Sequence, residues 1–289
     1  MSEKCLLCQS ERVAVLTHDM LKCRDCSFFF VSLPERARQQ ASFHLISEQG
    51  VVPEHLERLK KKYPKDDHAR KMIYKLYADR VSAWYGESVR ALDIGASGGF
   101  FLNELEQRGA SASNLRTLEV DPTYQKLTED YFGYMGDICN IETFKTEQKF
   151  DLLTMFDVLE HVDKFWLALA NMHSMLDEGG RLILKLPNGN WSYLKYVVSK
   201  AIGRADKIPW YLYLEPGGHL NYWNNRCIGQ LEKAGFKLET FEYAKPSKQQ
   251  FKQQYWPRMI GYKLNEWTGL QLFPEFIVTF KKVAANQGS

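Results

Sequence analysis

The chain has 289 residues, enough for one large domain and a small one, with 45% apolar and 25% charged residues. A formal net charge of +3 is too small to point by itself to a nucleic-acid partner, and no apolar run reaches membrane-spanning length. The opening Met1-Ser2-Glu3-Lys4-Cys5 carries no apolar signal-peptide core, so a cytoplasmic protein with reduced thiols is expected.

Four of the six cysteines form two knuckles, Cys5-x-x-Cys8 and Cys23-x-x-Cys26. This spacing turns two pairs of thiolates toward one point and reads as a tetrahedral zinc site with a short hairpin between the knuckles. So small a segment cannot bury a core of its own, and zinc binding, worth roughly 10–16 kcal/mol in finger peptides, would supply the missing stability. Four thiolates close the coordination shell, so the metal is expected to be structural. Cys139 and Cys227 lack such spacing and read as ordinary buried thiols. Residues 1–33 are taken as this zinc segment, ending in the apolar strand Phe28–Val31 before Pro34.

Residues 34–87 are charged and helical in tendency, a linker or cap in which Lys60, Lys61 and Lys62 read as a solvated helix face. Ile73, Leu76, Tyr77 and Val81 have the spacing of an amphipathic helix. From there strands and helices alternate. Strands are expected at Val89–Ile94, Leu115–Val120, Tyr134–Asp137, Phe150–Phe156 and Arg181–Leu186. Helices are expected at Phe100–Arg108 (stopped by Gly109), from Pro122 to Tyr131, and through Phe165, Leu169, Met172 and Leu176 to Gly179-Gly180. Such alternation predicts a doubly wound parallel sheet that binds its ligand at the strands' C-terminal ends.

Residues 188–224 interrupt the pattern with an irregular aromatic insert that includes Trp191, Tyr193, Tyr211, Tyr213, Tyr222 and Trp223. A helix from Arg226 to Ala234, a strand Phe236–Tyr243 and a last strand Glu275–Lys281 follow. Between the last two, Lys245, Lys248, Lys252 and Arg258 interleave with Phe251, Tyr255 and Trp256, a pattern of amphipathic loops and also of single-strand-binding surfaces.

The loop after the first of the alternating strands, Gly95-x-Ser97-x-Gly99, opens a helix and suits close approach of a nucleoside. It is not a P-loop, since no Gly-Lys-Ser/Thr follows, and it departs from the dinucleotide pattern at Ser97 and Phe100. Asp93 stands beside the loop, to fix it or to touch the ligand. At the end of the second strand Asp121 is preferred as acceptor of ribose hydroxyls, with Glu119 as its competitor. Asp137 suits an exocyclic amino group and Ile138 the face of a base.

Leu92-Asp93-Ile94-Gly95, Glu119-Val120-Asp121-Pro122, Gly136-Asp137-Ile138 and Phe156-Asp157-Val158-Leu159-Glu160-His161-Val162 together resemble class I S-adenosylmethionine-dependent methyltransferases. Pro187-Asn188, His219-Leu220-Asn221-Tyr222-Trp223 and Ala234-Gly235-Phe236 continue the resemblance, toward the ubiquinone-type and sugar or natural-product subgroup. The cysteine segment resembles the zinc ribbon that precedes such domains in bacterial polysaccharide and secondary-metabolite enzymes. The resemblance implies a Rossmann-like seven-stranded sheet of order 3-2-1-4-5-7-6 over residues 88–289. It implies S-adenosylmethionine held by Asp93, Gly95, Ser97, Gly99, Asp121, Asp137, Ile138 and Phe156. Ser97 stands where the family usually has glycine. His161, one helical turn after Asp157, and His219 are the candidate bases for a hydroxyl acceptor. The expected reaction is O-methylation of a small molecule: a sugar, a nucleotide-sugar or a glycan-linked intermediate. N-methylation of an amino sugar and methylation of an RNA base are the alternatives, the last disfavoured by the near-neutral charge.

Overall fold

A computed structural model describes residues 3–17, 19–37, 53–54, 57, 71–203, 219–243, 255–268 and 273–283. Lys60–Lys62, Tyr211, Tyr213 and the basic stretch at 245–252 lie outside the described residues.

Seven strands make the main sheet: β4 (Ala91–Ile94), β5 (Leu115–Glu119), β6 (Gly136–Ile138), β7 (Phe150–Phe156), β8 (Leu176–Pro187), β10 (Phe236–Tyr243) and β11 (Glu275–Lys282). Their order is β6-β5-β4-β7-β8-β11-β10, which is the expected 3-2-1-4-5-7-6. The first five strands pair in parallel, and β11 inserts antiparallel between β8 and β10. β4 is buried at every position, as a central parallel strand covered on both faces must be. Helices fill the crossovers: α1 (Lys71–Tyr85) precedes β4, while α2 (Phe100–Glu106), α3 (Pro122–Phe132) and α4 (Phe165–Met175) follow β4, β5 and β7. α1 turns Tyr74, Tyr77 and Val81 into a core shared with α2, and Arg80 and Tyr77 both hold Glu242 on β10. The chain leaves β4 toward β5 and β6, then returns to place β7 on the other side of β4. This topological switch opens a crevice at the C-terminal ends of β4, β5 and β7.

Several elements differ from the sequence expectation. The helix through Phe165 stops at Met175, and β8 begins at Leu176, which pairs with Phe150, so Gly179-Gly180 lie within the twisted start of a strand. The first part of the aromatic insert is a regular helix, α5 (Gly189–Ala201), whose N-cap Asn188 accepts from the Asn190 N–H. The segment Ile228–Ala234 is wound as a 3-10 helix, and a further helix, α6 (Tyr255–Thr268), precedes β11.

The cysteine segment folds as β1 (Val13–Thr17), β2 (Met20–Cys23) and β3 (Phe29–Val31). Its sheet gains a fourth strand from far along the chain, β9 (Asn221–Tyr222), in the order β1-β2-β3-β9. Phe28 packs its ring 4.8 Å from Trp223 and 5.9 Å from Phe165, within the same core as β4, β7 and β8. The segment is therefore welded to the main body by backbone pairing and by apolar burial.

Candidate functional site

The crevice at the switch point is a cleft of about 350 Å³, within the usual range for small-molecule sites. Ile94 and Gly95 form its floor, with Leu118, Glu119 and Val120 on one side. Ile138 to Glu142 and Val158, His161, Val162 and Asp163 close the other sides.

Gly95 has φ +70, and a Cβ there would sit 2.4 Å from Val158 Cγ2, so only glycine lets the loop pass under the wall of the cleft. Gly99, at φ +72, is the N-cap of α2. Ser97 lies in the left-handed region at φ 55, where a side chain is strained, and its backbone N–H donates to the Glu119 carboxylate. That bond draws the Glu119 side chain across the mouth of the glycine loop. Burial pushes the Glu119 carboxyl up to about 7, with the Asp93 charge adding to the rise and the Ser97 N–H opposing it. Asp93 is buried beneath the loop and accepts from the Thr154 hydroxyl at 2.6 Å, and burial also pushes it up to about 7.

The acidic residues fall into different places. β5 ends at Glu119, which faces the cleft, whereas Asp121 is the N-cap of α3 and accepts from the Thr123 N–H at 2.7 Å. Thus the competitor, and not the preferred Asp121, lines the cleft. Asp137 is half-exposed with its carboxylate 3.5 Å from Arg116 on β5, while Ile138 does reach the cleft. Phe156 is enclosed by the rings of Tyr74 and Phe101, at 5.1 and 5.0 Å, in the core beneath α1.

Where His161 lines the cleft, the ring of His219 packs against it from behind. The ring centroids of His161 and His219 are 4.7 Å apart and nearly perpendicular. Burial, reinforced by the charge of His161, pushes His219 down to about 3, and Asp157 pulls it weakly back. His219 is therefore neutral at neutral pH, and of the two rings His161 is the one that lines the cleft. Buried Glu160 brings Oε1 within 4.0 Å of His219 Nε2. Asp157, at φ 59, pairs with Lys185 Nζ at 2.5 Å, and Lys185 also reaches Glu275 at 3.1 Å. Sequence reasoning passed over Glu160, Glu142 and Lys185. Only Lys185 left a signal, as a cation inside a buried parallel strand.

The four knuckle cysteines converge as the spacing requires. Cys5 Sγ lies 3.6 Å from Cys26 Sγ and Cys8 Sγ 3.6 Å from Cys23 Sγ, and all four sulfurs lie within 4.8 Å of one another. A tetrahedral ion with 2.3 Å bonds to sulfur needs edges of about 3.8 Å. Both knuckles close alike: Gln9 N donates to Cys5 O and Ser27 N to Cys23 O, with Gln9 and Ser27 in the left-handed region at φ 63 and 61.

Comparison with known proteins places these features in context. The family description of a methyltransferase domain matches residues 54–240. Ubiquinone biosynthesis O-methyltransferase of Nitrobacter winogradskyi is 24% identical over 165 residues, 53% of this chain and 61% of that protein. The enzyme of the same name from Pseudomonas aeruginosa is 28% identical over 105 residues, 35% of this chain and 45% of that protein. The chain thus matches about three fifths or less of the length of these relatives. Among solved structures, an S-adenosylmethionine-dependent methyltransferase from Mesorhizobium loti superposes with a TM-score of 0.51 at 18% identity, covering 71% of this chain and 96% of that one. The N-methyltransferase NodS from Bradyrhizobium japonicum, in complex with S-adenosyl-L-homocysteine, gives 0.50 at 15% identity, covering 79% and 97%. At these identities the structures speak to the fold.

Proposed function

The chain belongs to the methyltransferase-domain family, and from that premise we propose that it moves a methyl group from S-adenosylmethionine to a hydroxyl of a small-molecule acceptor. The observation that carries this reading is one cleft lined by the glycine loop, the buried Glu119 carboxylate and His161, with the His219 ring packed against that of His161.

Bound in the cleft, S-adenosylmethionine supplies an activated methyl on a sulfonium, so the protein's work is alignment and exclusion of water. Glu119 is assigned the ribose hydroxyls, because its carboxylate faces the cleft while that of Asp121 caps α3. Ile138 offers an apolar face to the base, Gly95 and Gly99 let the loop backbone approach, and Asp93 holds the loop from below. Asp137 and Phe156 support this end from the neighbouring strand and from the core. His161 accepts the proton that the acceptor hydroxyl releases as it attacks. His219 stays neutral beside it, so no second charge opposes protonation of His161.

The finer reading of the acceptor is a sugar, nucleotide-sugar or glycan-linked hydroxyl. The O-methyltransferase names of the sequence relatives support the hydroxyl, and the fused cysteine segment, which resembles that of polysaccharide enzymes, supports the sugar. The cysteine segment holds one structural zinc ion, for which the sulfur spacing is suited. No described helix is long and apolar enough to cross a membrane, and the near-neutral charge argues against a nucleic-acid partner. The test is a screen for transfer of labelled methyl from S-adenosylmethionine to nucleotide sugars and to phenols. Among accepted compounds, His161→Asn should lower kcat about 10²- to 10⁴-fold with S-adenosylhomocysteine affinity unchanged. Transfer to amines alone, with His161→Asn fully active, would overturn the hydroxyl reading.

A further inference from the structure

Arg36 is the most deeply buried guanidinium among the described residues, 2% exposed, and it belongs neither to the cysteine knuckles nor to the cleft. It sits in the helical turn at 33–37, directly after β3. Its Nη1 donates to Asp163 Oδ1 at 2.9 Å, and its Nη2 donates to Leu220 O at 3.1 Å and to Asn221 Oδ1. Its Nε reaches back to Val31 O at 3.3 Å. One planar cation thereby ties together the ribbon's last strand, the turn that follows His161 and the strand that follows His219. Such a cation is costly to bury unless its donors are answered, and here four hydrogen bonds, one of them to a carboxylate, answer it.

The same two segments are bonded to each other and to the ribbon. Leu220 N donates to Glu160 O at 2.8 Å, and Asn221 Nδ2 donates to Val162 O at 2.6 Å. On the ribbon side Val31 N donates to Leu220 O at 3.0 Å, and β3 pairs Phe29 with Tyr222 and Phe30 with Asn221. Asn224 Nδ2 reaches Ser27 O at 2.7 Å, one residue past the second cysteine knuckle, and Trp166 Nε1 reaches Leu6 O at 3.1 Å within the first. The backbones that hold the two imidazoles at 4.7 Å are thus bonded outward to the ribbon as well as inward to the sheet.

We propose that the cysteine ribbon, acting through Arg36, is the clamp that sets the His161–His219 pair, with Arg36 a positioning residue for the acceptor end of the cleft. The proposal rests on the reading of that pair as the acceptor site. The ribbon then governs the acceptor half of the cleft and leaves the glycine-loop half alone, because Arg36 touches neither the loop nor Glu119.

The experiment uses the full-length, metal-loaded protein with ¹⁵N-labelled histidine, following the two imidazoles by NMR from pH 5 to 8. His219 faces the His161 ring at 4.7 Å, the Tyr222 ring at 5.7 Å and Glu160 at 4.0 Å, with the Asp157 charge nearby. In the parent protein its resonances should stay those of a neutral ring throughout. Arg36→Gln removes the fork and Arg36→Lys keeps the charge that Asp163 needs but cannot span the acceptors. Both should bind S-adenosylhomocysteine within about threefold of the parent, while water admitted to the pair brings His219 into titration, its midpoint rising from about 3 by roughly two pH units or more into the range followed. The shift should be smaller in Arg36→Lys, and removing the metal with a chelator should reproduce it. Should Arg36→Gln fail to fold, the lysine variant and the chelated parent carry the same reading. Folded variants with both imidazole titrations unchanged would overturn the clamp. Failure of the parent to bind S-adenosylhomocysteine would overturn the methyl-transfer reading instead, leaving the titration result to stand or fall separately.

Discussion

The raised carboxyl of Glu119 makes cofactor affinity pH-dependent in a way that can be worked out. Ribose hydroxyls are donors, so they bind the ionised carboxylate. In the free protein burial holds Glu119 at about 7, and binding should return it toward the ordinary value of about 4.3. The sign follows: affinity rises with pH through the free-state value and then levels. At pH 8 about nine-tenths of free Glu119 is ionised, and at pH 6 about one-tenth. Affinity should therefore fall about tenfold between them, equivalent to ~1.4 kcal/mol. S-adenosylhomocysteine is the right probe, because it lacks the sulfonium charge that a protonated His161 would repel. Titration calorimetry of the parent and of Glu119→Gln gives the comparison. The glutamine variant should bind more weakly at pH 8 and show no slope. Asp93→Asn should keep a slope but shift it to lower pH, since the Asp93 charge contributes to the Glu119 rise. Parent affinity constant within twofold from pH 6 to 8, or an undiminished slope in Glu119→Gln, would refute the ribose assignment.

Other outcomes follow from single contacts. Purified protein should carry close to one zinc per chain by elemental analysis. Cys8→Ser should lose the metal and lower the melting temperature, and a metal-free protein of equal Tm would remove the structural role. Ser97→Gly should stabilise the protein: relief of left-handed strain of about 1–2 kcal/mol exceeds the glycine entropy cost of ~0.5–1 kcal/mol, raising Tm by about 1–3 °C. A fall in Tm would show that the Ser97 side chain has bonds that outweigh its strain.

Much of this architecture is legible in the sequence because apolar runs, glycines and helical spacing recur in strict alternation. The alternation predicts the parallel pairing of the first five strands and the family resemblance the order of all seven, while the antiparallel insertion of β11 is seen only in the fold. The cysteine cluster is legible for a different reason, since metal chemistry imposes its own spacing on the chain. What escapes is set by single residues of register or by distance along the chain. Glu119 and Asp121 are two residues apart, and only knowing that β5 ends at Glu119 separates the cleft residue from the helix cap. The aromatic run at 191–196 hides α5, because its large side chains mask the helical period. The ribbon's fourth strand has two residues and lies about 190 positions after β3, so nothing local announces the pairing. Arg36 escapes for the same reason: its partners Asp163, Leu220 and Asn221 come together only in the folded chain.

The central claim is that the cleft beside the Gly95–Gly99 loop holds the methyl donor. A crystal structure of the full-length protein grown with S-adenosylhomocysteine tests it most directly. The account predicts the ribose hydroxyls on the Glu119 carboxylate, the base against Ile138 and the sulfur directed toward His161. Ligand density elsewhere, or an empty cleft in crystals grown at saturating ligand, would contradict it.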